Sequence, residues 1–220
     1  MPSPRIEKFR RPAAVFCAFA LIALLAGCDN GHWHSMNIEG SSPPLAFHMT
    51  RAADGKPVTA ADYRGKVVML YFGYTFCPDA CPMTLTNIGR ILDRLGPLAK
   101  NIRVLFVTVD PNRDTLPVLK AYMKHFVPQI AGLRGTPDQI AALARRYRVV
   151  YSATPASQGH PYDVSHGSAI YVFDKTGAAR LLMSPLTFAS VDITGPAADL
   201  KRLAEEPAHP GLLADLRRLF

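Results

Sequence analysis

Two cysteines and one histidine carry the chemistry that this sequence is equipped to perform. Cys77 and Cys81 stand in the stretch YFGYTFCPDACPMTL at positions i and i+4, so one helical turn brings their sulfurs to the same side. The free amides and positive dipole end of a helix beginning there favour thiolate over thiol. Two thiolates at that distance can form a disulfide or grip a soft metal ion. Sulfur ligands select Cu(I), and an added imidazole makes Cu(II) acceptable as well. His166, in Asp163-Val164-Ser165-His166-Gly167-Ser168 just before the apolar run 169–173, is the expected third ligand, for one copper per chain.

These residues need a scaffold that brings position 166 back to the cysteine loop. The run Val67-Val68-Met69-Leu70-Tyr71-Phe72 reads as a central strand buried on both faces. A helix is expected over 82–95, with Leu85, Ile88, Ile91, Leu92 and Leu95 along one side. A second buried strand follows at 102–109, then a helix capped by Asp114-Thr115 that runs through Leu119, Tyr122 and Phe126. Another helix is expected at 138–147. A hairpin made of strands 169–173 and 179–182 turns at Asp174-Lys175-Thr176-Gly177, and a last helix lies within 197–203. Upstream, the turn signal Asp54-Gly55 between Phe47-His48-Met49-Thr50 and Pro57-Val58-Thr59 predicts an added hairpin. This order predicts an α/β, thioredoxin-like sandwich with an N-terminal β-hairpin addition. In that fold, reactive cysteines follow the first central strand at the start of its helix, where Cys77 and Cys81 lie. Ordinary thioredoxins place a cis-proline before the strand that here follows His166. This chain has none there, Pro161 lying five residues earlier, which moves the site from thiol exchange towards metal binding.

The N-terminus reads as a leader. Arg5, Lys8, Arg10 and Arg11 precede an apolar run over 13–26 that is too short to span a bilayer as a helix. The run ends in Leu25-Ala26-Gly27-Cys28, which resembles a bacterial lipobox and implies lipidation of Cys28, with residues 1–28 as the signal peptide. Asp29 after that cysteine implies retention at the inner membrane, facing the periplasm of a bacterial cell envelope. Residues 29–44 are expected to form a flexible tether, 45–206 the domain, and 207–220 a tail. The leader carries a net +3, so the formal charge of +8 falls to +5 after cleavage. The remaining charge is dispersed, with only Arg145-Arg146-Tyr147-Arg148 dense, and nucleic-acid binding is not indicated. Of the four cysteines, Cys17 leaves with the leader and Cys28 takes the lipid. That leaves Cys77 and Cys81, a pair that closes too short a loop to act as a structural staple, so a redox-active disulfide or a metal site is the better explanation.

The segments YFGYTFCPDACPMTL, VTVDPNRDT, GLRGTPDQI and YDVSHGSAIYVFD, in this order, resemble the Sco/SenC family of copper-delivery proteins. The resemblance covers roughly residues 45–203. It implies a thioredoxin-like fold and copper held by Cys77, Cys81 and His166. It further implies a role in maturing the copper-A centre of cytochrome c oxidase, with that subunit as acceptor and an upstream periplasmic copper donor. Asp79, within CPDAC, matches a family carboxylate that tunes or transiently contacts the metal and is not expected as a ligand. The family usually continues its histidine motif with Ser or Thr where this chain has Gly167, a change expected to loosen the loop and leave the ligand in place.

Other readings use the same residues. A thiol–disulfide oxidoreductase that reduces the cysteines of an apo copper site would employ Cys77 and Cys81 and would not need His166. A thiol peroxidase would need a polarising shell around one thiol, which a second cysteine and a histidine crowd out. Asp110, in Val109-Asp110-Pro111-Asn112-Arg113-Asp114, is expected to organise a turn. His32, Trp33, His34 and Met36 form a cluster beside Cys28 that offers a further copper-collecting group or only the ordinary content of a tether. His125 is expected to be structural, and His160 lies in a polar loop.

Overall fold

The fold is described from a computed structural model, over residues 32–154, 156 and 162–208. Cys17, Cys28, His160 and the tail beyond 208 lie outside the described residues. The chain divides into two units, 1–32 and 33–220, and every helix and strand described belongs to the second. Among the described residues, no helix is long and apolar enough to cross a membrane.

In chain order the elements are β1 (Met36–Asn37), β2 (His48–Arg51), β3 (Pro57–Thr59), β4 (Val67–Gly73), α1 (Ala80–Leu95), β5 (Ile102–Thr108), α2 (Leu116–Met123), β6 (Ile130–Arg134), α3 (Pro137–Arg146), β7 (Tyr151–Thr154), β8 (Asp163–His166), β9 (Ile170–Phe173), β10 (Ala179–Met183) and α4 (Thr194–Glu205). Eight strands form one sheet in the order β1-β10-β9-β4-β5-β6-β2-β3. Strands β4, β5 and β6 are parallel, and β9 runs antiparallel beside β4. Strands β7 and β8 pair only with each other, as a separate antiparallel ribbon.

The predicted central strand is β4, and every one of its residues is buried. Met69 and Tyr71 on one face meet Leu85, Ile88 and Leu92 of α1 and Leu200 and Leu203 of α4. Leu70 and Phe72 on the other face meet Ile140 and Leu143 of α3 and Tyr147 beyond it. At roughly 1.5–3 kcal/mol per large apolar side chain buried, this two-sided packing outweighs any single helix cap at about 1 kcal/mol. Packing therefore fixes where β4 lies, and the caps only set where the helices begin. Thr115 caps α2 by accepting from the Val118 amide, and Thr136 caps α3 through a box with Gln139. Phe126 falls beyond the end of α2.

Three features depart from the sequence expectations. Residues 33–44, expected as a flexible tether, fold onto the sheet. β1 pairs with β10, the buried Asp199 carboxylate accepts the His34 and Ser35 amides at 3.0 and 2.7 Å, and Trp33 lies under the guanidinium of Arg202 at 4.1 Å. The physical reason is the free edge of β10, which supplies backbone partners that the short polar segment lacks on its own. Second, β6 and the β7–β8 ribbon were not anticipated as strands. Third, His125 lies past the end of α2 and is exposed rather than packed into the structure.

Candidate metal centre

The site lies at the C-terminal end of β4. The chain leaves β4 at Gly73, turns through Tyr74-Thr75-Phe76, and enters α1 with Cys77 in the loop and Cys81 inside the first turn. Buried Asp114 holds this loop. Its carboxylate accepts the Thr75 amide at 3.0 Å, the Thr75 hydroxyl at 2.5 Å and the Thr108 hydroxyl at 2.5 Å. Burial nevertheless pushes the Asp114 carboxyl above its ordinary range, with the threonine donors opposing it. Asp110 is buried at the end of β5 and bonds to Arg113, the turn-forming role expected of it.

Asp79 stands at the N-cap of α1, but its side chain makes no capping bond. The Cys77 sulfur takes that place by accepting the Cys81 amide at 3.4 Å. Helix-end amides with no intrahelical partner thus point at a sulfur, an arrangement that favours its anion. The Cys77 thiol is lowered to about 3, first through the hydrogen bond from Cys81, against the cost of burial, and then through His166 and the amides of Cys81 and Asp79. Cys81 goes the other way. It is fully buried, and its thiol is pushed far up because it donates to Cys77 and is desolvated. The pair therefore shares one proton, held on the inner sulfur. Neither cysteine is oxidised, and no disulfide joins them.

His166 arrives from 85 positions away and places Nε2 3.4 Å from the Cys81 sulfur. Its Nδ1 lies 3.0 Å from the Gly167 carbonyl, which can only accept. Nδ1 therefore donates to that carbonyl, and Nε2 is the ring nitrogen that faces the two sulfurs. The histidine was expected immediately before the strand that is now β9. It instead ends β8, so its position depends on the β7–β8 ribbon. Tyr71 and Tyr74 meet the imidazole edge-on, with ring centroids at 6.0 and 5.8 Å. The Tyr71 hydroxyl also reaches the Cys81 sulfur at 3.6 Å and Thr84 at 3.5 Å. Sequence reasoning did not single out either tyrosine. The available signal was a phenol in a strand otherwise built of wholly apolar side chains.

One ligand atom each from Cys77, Cys81 and His166 lies within 4.8 Å of the others, close enough to hold one metal ion between them. Two sulfurs and an imidazole nitrogen are a soft donor set, suited to Cu(I) and tolerant of Cu(II). Among the described residues no other group of histidine, cysteine and carboxylate side chains converges in this way, and neither Asp79 nor His34 belongs to the cluster. Gly73 makes room for it. A Cβ there would lie 2.8 Å from the Cys81 sulfur and 2.6 Å from the Phe106 ring.

A thioredoxin-like sheet carrying a Cys–Cys–His cluster at the first strand-to-helix turn defines a class of protein built to handle thiols and soft metals. The SCO1/SenC family profile matches residues 44–205, and the chain belongs to that family. It is 42% identical over 125 residues to the mitochondrial SCO2 homolog of Bos taurus, a match covering 56% of this chain and 47% of that protein. The SCO2-like protein of Rickettsia felis is 35% identical over 125 residues, covering 56% and 61%. This chain thus spans about half the length of the curated relatives it matches. Among solved structures, ScoI of Bradyrhizobium japonicum with copper bound superposes with a TM-score of 0.65 at 35% identity, covering 74% of this chain and 99% of that one. Yeast Sco1 with copper bound gives 0.67 at 29% identity, covering 80% and 94%.

Proposed function

We propose that this chain is a copper-delivery protein in which Cys77, Cys81 and His166 hold one copper ion as cargo for the copper-A site of cytochrome c oxidase. The observation that carries the reading is the convergence of those three donors, from positions 85 residues apart, within 4.8 Å. Similarity to the copper-bound Bradyrhizobium structure supports copper as the metal. The protein supplies a thiolate at Cys77, a proton to be released from Cys81, and an imidazole whose Nε2 already faces inward. Loading therefore displaces the thiol proton of Cys81. Cys77 is only half-buried, which suits hand-over to an acceptor. Lipidation at Cys28 would place the domain at the periplasmic face of the bacterial inner membrane, where it meets its copper donor and the oxidase subunit.

A specific observation favours a second role for the same pair. An accessible thiolate at Cys77 beside a buried protonated Cys81 is the attacking and resolving arrangement of thiol–disulfide exchange. Such a protein would reduce the cysteines of an apo copper site before loading.

The test is a titration of the reduced full chain with Cu(I) against a competing chelator, and with Cu(II) followed by thiolate charge-transfer absorption. One copper per chain is expected. The absorption should vanish in Cys77→Ala and Cys81→Ala and weaken in His166→Ala. Unchanged Cu(II) binding by His166→Ala would sink the ligand assignment. No binding by the reduced protein, with efficient disulfide exchange, would leave the second role alone.

A further inference from the structure

We infer that Arg113 is a positioning residue for this site, holding the ribbon that carries His166 against the loop that carries Cys77 without touching either ligand atom. The inference rests on the reading of Cys77, Cys81 and His166 as ligands. Its starting point is that β7 and β8 share no backbone ladder with the main sheet, so contacts outside a ladder, side-chain ones among them, fix where His166 stands relative to the thiols. Arg113 sits where the two parts meet. Its guanidinium lies 4.2 Å from the ring centroid of Tyr162, 4.8 Å from that of Phe76 and 5.8 Å from that of Tyr74. Phe76 adjoins Cys77. Tyr74 packs edge-on against the His166 ring. Tyr162 immediately precedes β8, and His166 ends that strand.

Buried Asp110 orients the clamp. Its Oδ2 accepts Arg113 Nε, and its Oδ1 accepts the Tyr162 hydroxyl at 3.1 Å. One carboxylate thus fixes both the cation and the ring it stacks on. Sliding β8 by one residue would break the hydroxyl bond and the stack together, and would turn His166 to the opposite face of the ribbon. A planar guanidinium can lie across several rings while donating through Nε, which an ammonium cannot do, so lysine is not an equivalent here. The competing explanation is that Arg113 only closes the 110–114 turn. That role would alter stability and leave the imidazole's surroundings unchanged.

The test uses the reduced full chain with Arg113→Lys, Arg113→Ala and Tyr162→Phe. In the metal-free protein, NMR shifts of the His166 ring protons report its packing against Tyr71 and Tyr74. With copper added, Cu(II) affinity and the charge-transfer band report the imidazole as ligand. The expected result is displaced His166 resonances in the Arg113 variants and a Cu(II) Kd raised about 10- to 100-fold, the usual range for losing a residue that orients a ligand. Cu(I) should still bind at one per chain, and adding His166→Ala to Arg113→Lys should cost no more than His166→Ala alone. Unmoved His166 resonances, or losses from Arg113 and His166 that add, would overturn the inference. If Arg113→Ala does not fold, Arg113→Lys and Tyr162→Phe decide the matter. A parent protein that binds no copper would reject the ligand reading, while the metal-free spectra would still decide the role of Arg113.

Discussion

Cys77 and Cys81 look interchangeable in the sequence, yet the fold makes them chemically unlike. Cys77 caps a helix with its sulfur at the edge of solvent, whereas Cys81 is wholly buried against Tyr71 and Gly73. With the Cys77 thiol lowered to about 3, its thiolate fraction is essentially constant between pH 5 and 8. An ordinary thiol near 8.5 would lose several hundred-fold in reactivity on going from pH 8 to pH 5. Iodoacetamide should therefore modify Cys77 first in the reduced, metal-free protein, at a rate nearly flat across that range, as read by peptide mass mapping. Labelling of Cys81 first, or a tenfold rate change per pH unit, would contradict this picture. The i, i+4 spacing made the pairing of the sulfurs legible, although Cys77 meets Cys81 from the loop before α1 rather than from the same helical turn. Their asymmetry was not, because it comes from tertiary neighbours and from an N-cap whose own side chain, Asp79, leaves the capping to a sulfur.

A strong period or an unbroken apolar run made β4, β5, α1, α3 and the β9–β10 hairpin legible in the sequence, and cap and turn signals did the same for α2 and the β2–β3 hairpin, with α4 also anticipated. Strand β6 is only IAGLR, with a glycine at its centre, and β7 and β8 are the largely polar YSAT and DVSH, so none of the three carried a clear pattern. That gap mattered, since β8 is what delivers His166. The loop that delivers Cys77 is held differently, by Asp114 between β5 and α2. Its carboxyl is raised by burial, so the folded state binds more protons than the unfolded chain above the ordinary aspartate value of about 3.9. Stability from this group is therefore lost as pH rises through that window. Asp114→Asn keeps an acceptor for the Thr75 amide and removes the titration. In urea unfolding from pH 4 to 7, the stability of the parent relative to the variant should fall with pH. A difference that stays constant, or that rises, would mean that the threonine donors outweigh burial.

For the molecule as a whole, the segment 33–44 is part of the fold rather than a loose connection to it. Its only regular element is two residues long and gains its order from the β10 edge and from Asp199, so composition alone reads it as a tether. Asp199→Ala leaves the His34 and Ser35 amides without their acceptor and should cost about 1–3 kcal/mol. It should also open residues 33–40 to limited proteolysis while copper stoichiometry stays at one per chain. Resistance equal to the parent's would show that β1 holds without the carboxylate. X-ray absorption at the copper edge of the Cu(I)-loaded full chain tests the Cys77, Cys81 and His166 ligand set most directly. Two sulfurs and one imidazole nitrogen per copper are expected, with the imidazole scattering lost in His166→Ala. Fewer than two sulfurs, or a spectrum that His166→Ala leaves unchanged, would contradict the assignment.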